Sequence, residues 1–90
     1  MSNQNWKMIT MKKQQKDIQM LVEGGSIKGA VAQYEPLLNG WVVIFTTTKK
    51  TETHSIYAQR GDGVKVFKTL DAVNNTVKAV GLGEMVVKTV

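Results

Sequence analysis

The stretch "WVVIFTTT", residues 41–48, is the strongest β-strand pattern in the sequence. Aromatic and β-branched residues fill it, and these residue types favour a pleated, half-buried backbone. Because side chains alternate along a strand, Val43 and Phe45 lie on one face and Val42 and Ile44 on the other. Both faces are apolar, which predicts either a central strand covered on both faces or a strand that presents Val42 and Ile44 to a partner.

Further strands are predicted on both sides of this stretch. The segment "SIKGAVAQYE" (26–35) is rich in small and β-compatible residues, and Pro36 ends it because proline cannot donate to a ladder. After the polar turn "KKTET" (49–53), the segment "HSIYAQR" (54–60) is the expected hairpin partner. A short strand is expected over 84–88. The sequence therefore predicts a three- to four-stranded antiparallel sheet.

Two helices are predicted around the sheet. The segment "MKKQQKDIQMLVEGG" places apolar residues at helical spacing and ends in glycines, so the first helix covers about residues 11–23. The segment "TLDAVNNTVKAVG" predicts a second helix from about Leu70 to Val80. Thr69 is its expected N-cap and Gly81 its expected C-terminal stop.

Together these elements predict an α+β fold with an N-terminal helix, the antiparallel sheet, a second helix and a short C-terminal strand. Ninety residues are enough for one hydrophobic core. Residues 1–10 are polar and are predicted to form a flexible arm, and residues 11–90 a single small domain. The core is expected to contain Trp41, Val43, Phe45, Ile56, Ala58, Leu70, Val73, Val77 and Val80.

The tetrapeptide Arg60-Gly61-Asp62-Gly63 contains a sequence that elsewhere serves as an integrin ligand. It falls where the third predicted strand must end, and Asp-Gly flanked by glycine favours a tight turn. A turn with glycine at positive φ is therefore the preferred interpretation of this segment.

Composition excludes several classes of protein. The chain has no cysteine, so it has neither a disulfide framework nor a thiolate metal site. No apolar run approaches the roughly 18 residues of a membrane span, and the first residues lack the apolar core of a secretory signal. The segment "GGSIKG" lacks the phosphate-loop pattern. A cytoplasmic protein without cofactor, metal or membrane contact is expected.

Catalytic chemistry has little support in the sequence. His54 is the only histidine, and a solvated or hydrogen-bonded imidazole is the expected role for it. The carboxylates are scattered along the chain, each near a cap, a turn or a helix end. No catalytic residue is predicted, and the chain is not expected to be an enzyme. A pocket that gathered Asp or Glu around His54 would favour the opposite interpretation.

Basic and polar residues around the sheet are the candidate binding residues. The net charge is +5, and Lys and Arg supply the phosphate contacts that dominate affinity for nucleic acid. A surplus of this size also keeps an ordinary small domain in solution. The candidate residues for DNA or partner binding are Lys12, Lys13, Lys49, Lys50, Tyr57, Gln59, Arg60, Lys65 and Lys68, and those for a homodimer interface are Val42 and Ile44.

Four short motifs follow one another within residues 17 to 88: "LVEGGSI", "GWVVIF", "YAQRGDGVKVF" and "VGLGEMVV". As an ordered set they resemble a group of short plasmid-borne proteins, the ParC-type partition-associated proteins. The basic segment before Asp17 and the Arg-Gly-Asp-Gly turn depart from that pattern. The matching positions are Leu21, Val22, Glu23, Gly25, Ile27, Gly40, Trp41, Val43, Ala58, Gln59, Arg60, Lys65, Phe67 and Gly81.

The resemblance implies a non-enzymatic accessory role in the maintenance or partition of a plasmid or mobile element. Such a protein would act by binding DNA or a partition protein. The alternative is a protein–protein adaptor or homodimeric module that does not bind nucleic acid. The resemblance implies no catalytic residues.

Overall fold

The computed structural model describes residues 9–49, 51–56 and 63–88, and for residues 9–12 the backbone only. A 3-10 turn, Pro36–Leu38, connects the second and third strands. In chain order the other elements are β1 (Ile9–Lys13), α1 (Gln15–Glu23), β2 (Ile27–Glu35), β3 (Gly40–Thr47), β4 (Glu52–Ile56), α2 (Leu70–Ala79) and β5 (Val86–Lys88).

The sheet is mixed and has the strand order β1-β4-β3-β2-β5. β3 pairs antiparallel with both β2 and β4, as the sequence predicts for a hairpin. The two edges are parallel pairs, β1 with β4 and β2 with β5. The α+β fold class is therefore confirmed, whereas the expected wholly antiparallel sheet of three or four strands is wrong at both edges.

β1 has no counterpart among the elements predicted from the sequence. Residues 11–13 belong to β1 and not to the predicted first helix, since α1 begins only at Gln15, after Gln14 in an extended conformation. The cause is non-local, because β1 is held by a parallel partner far along the chain and carries no local hairpin signal. Ile9 and Thr10 also belong to β1, so they are not part of a flexible arm. Residues 1–8 lie outside the described part of the chain.

α2 follows its sequence signals closely. It spans Leu70–Ala79, and the Thr69 hydroxyl oxygen accepts a hydrogen bond from the amide of Ala72 at 3.1 Å, as expected of an N-cap. Gly81, with φ of +104°, lies just beyond the C-cap residue Val80. A left-handed residue at this position ends a helix, and glycine adopts it without steric cost.

Both helices pack on one face of the sheet. The unit β1-α1-β2 and the unit β4-α2-β5 each join parallel strands that lie three positions apart in the sheet order. The two units are therefore interleaved, and β3 is antiparallel to the other four strands.

The core between helices and sheet is formed by Ile18, Ile27, Ala30, Ala32, Val43, Phe45, Ile56, Phe67, Val73, Val77 and Val80.

The predicted core is largely confirmed. Trp41 and Leu70 are only partly buried but pack against the core, and Ala58 lies outside the described residues. Five further core residues are not among those predicted: Ile18, Ile27, Ala30, Ala32 and Phe67. Ile18 comes from α1, the next three from β2, and Phe67 from the segment before α2.

A short segment before α2 joins the sheet beside β3. The amide of Trp41 donates to the carbonyl of Phe67, and the amide of Phe67 donates to the carbonyl of Trp41, both at 2.7 Å. Gly40 is buried at this contact: a Cβ atom on it would lie 2.5 Å from Cγ1 of Val66 and 2.8 Å from the carbonyl oxygen of Phe67. The close approach of the two backbones therefore requires glycine at this position.

The predicted turn at residues 60–63 lies outside the described residues except for Gly63. A Cβ atom on Gly63 would have no neighbour within 4 Å. The turn itself stays a prediction, because three of its four residues are not described. Positive φ among the described glycines occurs at Gly25 and Gly81.

Candidate binding surfaces

The face of the sheet opposite the helices carries an apolar row across three strands. Val31 in β2 lies opposite Val86 of β5 on one side and opposite Ile44 of β3 on the other. In the next row Gln33 lies between Lys88 and Val42. Neither α1 nor α2 covers this surface, since both pack on the other side. We call it the open face.

Burial varies along the open face. Val86 is 58% exposed, and Val31 and Ile44 are half-buried. Val42 is only 8% exposed, so it is already largely covered within one chain. For Val42 this burial fits a strand covered on both faces, which is one of the two alternatives that the sequence left open. The assignment of Val42 and Ile44 to a homodimer interface stays a prediction. The accessible apolar surface of this face is formed by Ile44, Val31 and Val86.

Hydroxyl groups replace apolar side chains on the open face toward β4. Thr46 of β3 lies opposite Thr53, and Ser55 follows on the same side of β4. Thr53 and Ser55 are buried. The Ser55 Oγ atom makes no hydrogen bond to any group in the described part of the chain. The accessible apolar part of the open face is thus the row Val86, Val31 and Ile44, whereas its hydroxyl-bearing part over β4 is buried.

A cleft lies on the helix side of the sheet, where α1 passes over β4. Its volume is about 300 Å³. Leu21 of α1 and His54 of β4 both line this cleft. The complete lining is Lys13, Leu21, Ser26, Thr47, Thr48, Lys49, Glu52 and His54.

Hydrogen bonds fix the rim of this cleft. The hydroxyl of Thr47 lies 2.9 Å from the carbonyl of Lys49 and 2.8 Å from the carbonyl of Glu52, and it accepts from the Lys49 amide at 3.0 Å. The amide of Thr48 donates to the carbonyl of Ser26 at 3.1 Å. The connection from β3 to β4 is therefore tied at the cleft, and the backbone of Lys49 is held at its rim.

His54 and a carboxylate share this cleft. His54 is 6% exposed, so of the two roles expected for its imidazole, solvated or hydrogen-bonded, the solvated one is wrong. Glu52 lines the same cleft, which is the arrangement that would favour an enzyme. Its carboxylate, however, lies 3.7 Å from the ammonium of Lys49, so the acid faces a cation.

The predicted basic residues fall into separate groups. Lys13 and Lys49 line the cleft together. Lys65 lies near Lys13, because Lys13 is opposite Ile56 and the Lys65 amide donates to the Ile56 carbonyl. The Lys65 ammonium is 5.1 Å from the centre of the Phe67 ring. Lys68 is exposed just before α2.

The remaining candidates are less defined. The backbone of Lys12 lies opposite Ser55 in the sheet, and its side chain is not described. Lys50, Tyr57, Gln59 and Arg60 lie outside the described residues. Among the described candidates, Lys13 and Lys49 thus meet at the cleft, and the backbone of Lys65 lies near that of Lys13.

Val31, Val86 and Ser26 belong to these surfaces but are not among the residues predicted from the sequence. Because side chains alternate along the strand "SIKGAVAQYE", Val31 lies on the face opposite to that of Ala30 and Ala32. The orientation of Val31 can therefore be derived from the sequence. The positions of Val86 and Ser26 cannot, since they depend on the β2–β5 pairing and on the fold around α1.

No family model, curated protein or solved structure matches the chain. Within the described ranges, no helix has the length and apolar character needed to cross a membrane. The same part of the chain holds no cluster of three His, Asp or Glu residues suited to a metal ion.

Proposed function

We propose that this chain is a non-enzymatic accessory protein of plasmid or mobile-element maintenance that acts by binding. In this proposal the open face joins two copies of the chain, and the basic residues of the dimer contact DNA or a partition protein. The ordered motifs that resemble partition-associated proteins support the role in maintenance. The apolar row Val86–Val31–Ile44, on a face that neither helix covers, is the observation that carries the binding mode.

Charge on the open face supports a second copy as the occupant. A two-fold contact presses the same surface against itself, so a surface of one sign would repel its copy. Two charged residues of this face, Lys88 and Glu35, have opposite signs. The side-chain amide of Gln33 donates a hydrogen bond of 3.0 Å to the Glu35 carboxylate and so orients it. Apolar residues between opposite charges are suited to self-association.

The self-association can be tested with the double variant Val31→Lys, Ile44→Lys. Sedimentation equilibrium should show a dimer for the wild type and a folded monomer for the variant. We expect the dimer to weaken at least about a hundredfold, because four lysines would be buried near one another at the interface. Circular dichroism should confirm that the variant remains folded.

The matched control is Leu37→Lys, Leu38→Lys, which places two lysines at exposed apolar positions outside the open face. This control should dimerise like the wild type. A monomeric wild type, or a Val31→Lys, Ile44→Lys variant that still dimerises, would contradict the proposed interface. A mixed oligomer that forms only with a partition protein would assign the face to that partner.

DNA binding has a separate test in its salt dependence. If Lys65 and Lys68 contact phosphates, gel-shift affinities of the variant Lys65→Gln, Lys68→Gln should fall less steeply with salt than those of the wild type. The slope of log affinity against log salt should decrease by about 2, one unit for each lost contact. Lys78→Gln, at the far end of α2, should leave the slope unchanged.

An unchanged slope in the double variant would remove these two lysines from the DNA contact. If the wild type shifts no duplex even at low salt, while it captures a partition protein with shallow salt dependence, the chain is a protein adaptor.

A further inference from the structure

The cleft beneath α1 lies on the helix side of the sheet, away from the open face. Its lining includes the buried His54, the lysines Lys13 and Lys49, and the hydroxyl-bearing residues Ser26 and Thr48. These groups come from four separate parts of the chain and meet around one space of about 300 Å³. Such a concave space with a few convergent polar groups is typical of a small-molecule site.

The charges around the cleft favour an anion. Lys13 and Lys49 contribute two positive charges, and Glu52 contributes one negative charge. The Lys49 side chain is 77% exposed, and its ammonium lies 3.7 Å from the Glu52 carboxylate. Because exposed ion pairs of this kind are weak, a ligand anion can compete for the ammonium. Asp17 lies beside Lys13 in an adjoining groove. A ligand anion must therefore compete with two carboxylates, which predicts modest affinity.

We infer that this cleft binds a small phosphate monoester. A phosphate group offers three strong acceptor oxygens in a tetrahedral arrangement, which suits donors arriving from several directions. Lysine ammonium groups bind phosphate as point charges. The space exceeds what the phosphate group alone requires, and Leu21 supplies an apolar wall for the organic part of the ester.

The inference predicts a specific response of His54. Since the chain has one histidine, its imidazole Hε1 signal in a proton NMR spectrum is unambiguous. Titration with adenosine monophosphate at constant pH and ionic strength should shift this signal saturably. Inorganic phosphate should produce the same direction of shift with weaker affinity, and adenosine, which lacks the phosphate, should produce none.

Variants at the cleft should change the affinity in opposite directions. Lys13→Gln and Lys49→Gln should each weaken binding of adenosine monophosphate about fivefold to tenfold, because each removes a charge-assisted contact. Glu52→Gln should strengthen it about twofold to threefold, because it removes the competing carboxylate from Lys49. The control Lys78→Gln lowers the net charge equally but lies on α2, and its affinity should equal that of the wild type.

Three results would overturn the inference. The first is an Hε1 signal that does not respond to adenosine monophosphate, and the second is an equal response to adenosine. The third is a loss of affinity in Lys78→Gln as large as in Lys13→Gln, which would indicate non-specific charge attraction. Because the open face is on the other side of the sheet, the monomeric variant Val31→Lys, Ile44→Lys should retain the wild-type response. Failure of either proposal thus leaves the other testable.

Discussion

Replacing Phe45 with alanine is expected to lower the free energy of unfolding by about 3 to 5 kcal/mol. Phe45 heads the largest fully buried side chains of the described residues, with 0% exposure. It lies in the central strand β3 and belongs to the core cluster beneath the helices. The substitution removes the transfer free energy of the ring and leaves a cavity. Because β3 is hydrogen-bonded to strands on both sides, the sheet cannot easily move to fill this cavity.

Equilibrium urea unfolding measures this effect. The midpoint should fall while the slope with denaturant stays unchanged, because the surface exposed on unfolding remains nearly the same. A domain of this size has a total stability of about 5 to 15 kcal/mol, so the variant should be near the limit of folding. Leu37→Ala is the control: Leu37 is 98% exposed, and its truncation should cost less than about 0.5 kcal/mol. Similar midpoints for the two variants would contradict the described core.

Gly40→Ala is expected to cost about 2 to 3 kcal/mol, although it adds only one methyl group. The new Cβ atom would lie 2.8 Å from the carbonyl oxygen of Phe67, which already accepts the Trp41 amide. Relief requires the segment before α2 to move away from β3, and both Trp41–Phe67 hydrogen bonds would then lengthen. Backbone atoms cannot yield as a flexible side chain does.

Gly83→Ala is the matched control, because a Cβ atom there has no neighbour within 4 Å and the residue lacks positive φ. Thermal unfolding should show a substantially lower midpoint for Gly40→Ala and a nearly unchanged one for Gly83→Ala. If Gly40→Ala unfolds like the wild type, the close packing of β3 against the Phe67 segment is not present in solution.

Local signals decided which elements could be predicted from the sequence. α2 was predicted to within a residue because its cap at Thr69, its apolar stripe and its stop at Gly81 all lie within one short segment. β3 was recognised from its composition, and alternation correctly separated Val43 and Phe45 from Val42 and Ile44. β1 was not predicted because its partner β4 lies far along the chain. Parallel strands are joined by a long crossover and not by a tight turn, so the sequence around β1 carries no turn signal for this pairing.

The candidate surfaces were harder to predict than the elements. The cleft combines Lys13, Leu21, Ser26 and Lys49, which share no motif and meet only through the packing of α1 over the sheet. The apolar row on the open face depends on the register of β2 with β3 and β5. A one-residue slip in either pairing would separate its members, so composition alone could not reveal it.

The parallel edges of the sheet have a consequence for the order of folding. β2, β3 and β4 follow one another between Ile27 and Ile56 and pair with their neighbours in sequence, so they can form through short loop closures. β1 and β5 must instead find partners across long stretches of chain, which costs more loop entropy and delays them. The two outer strands should therefore dock last and detach first. Native-state hydrogen exchange should show the amides of β1 and β5 opening at lower free energy than those of β3, while the central hairpin persists.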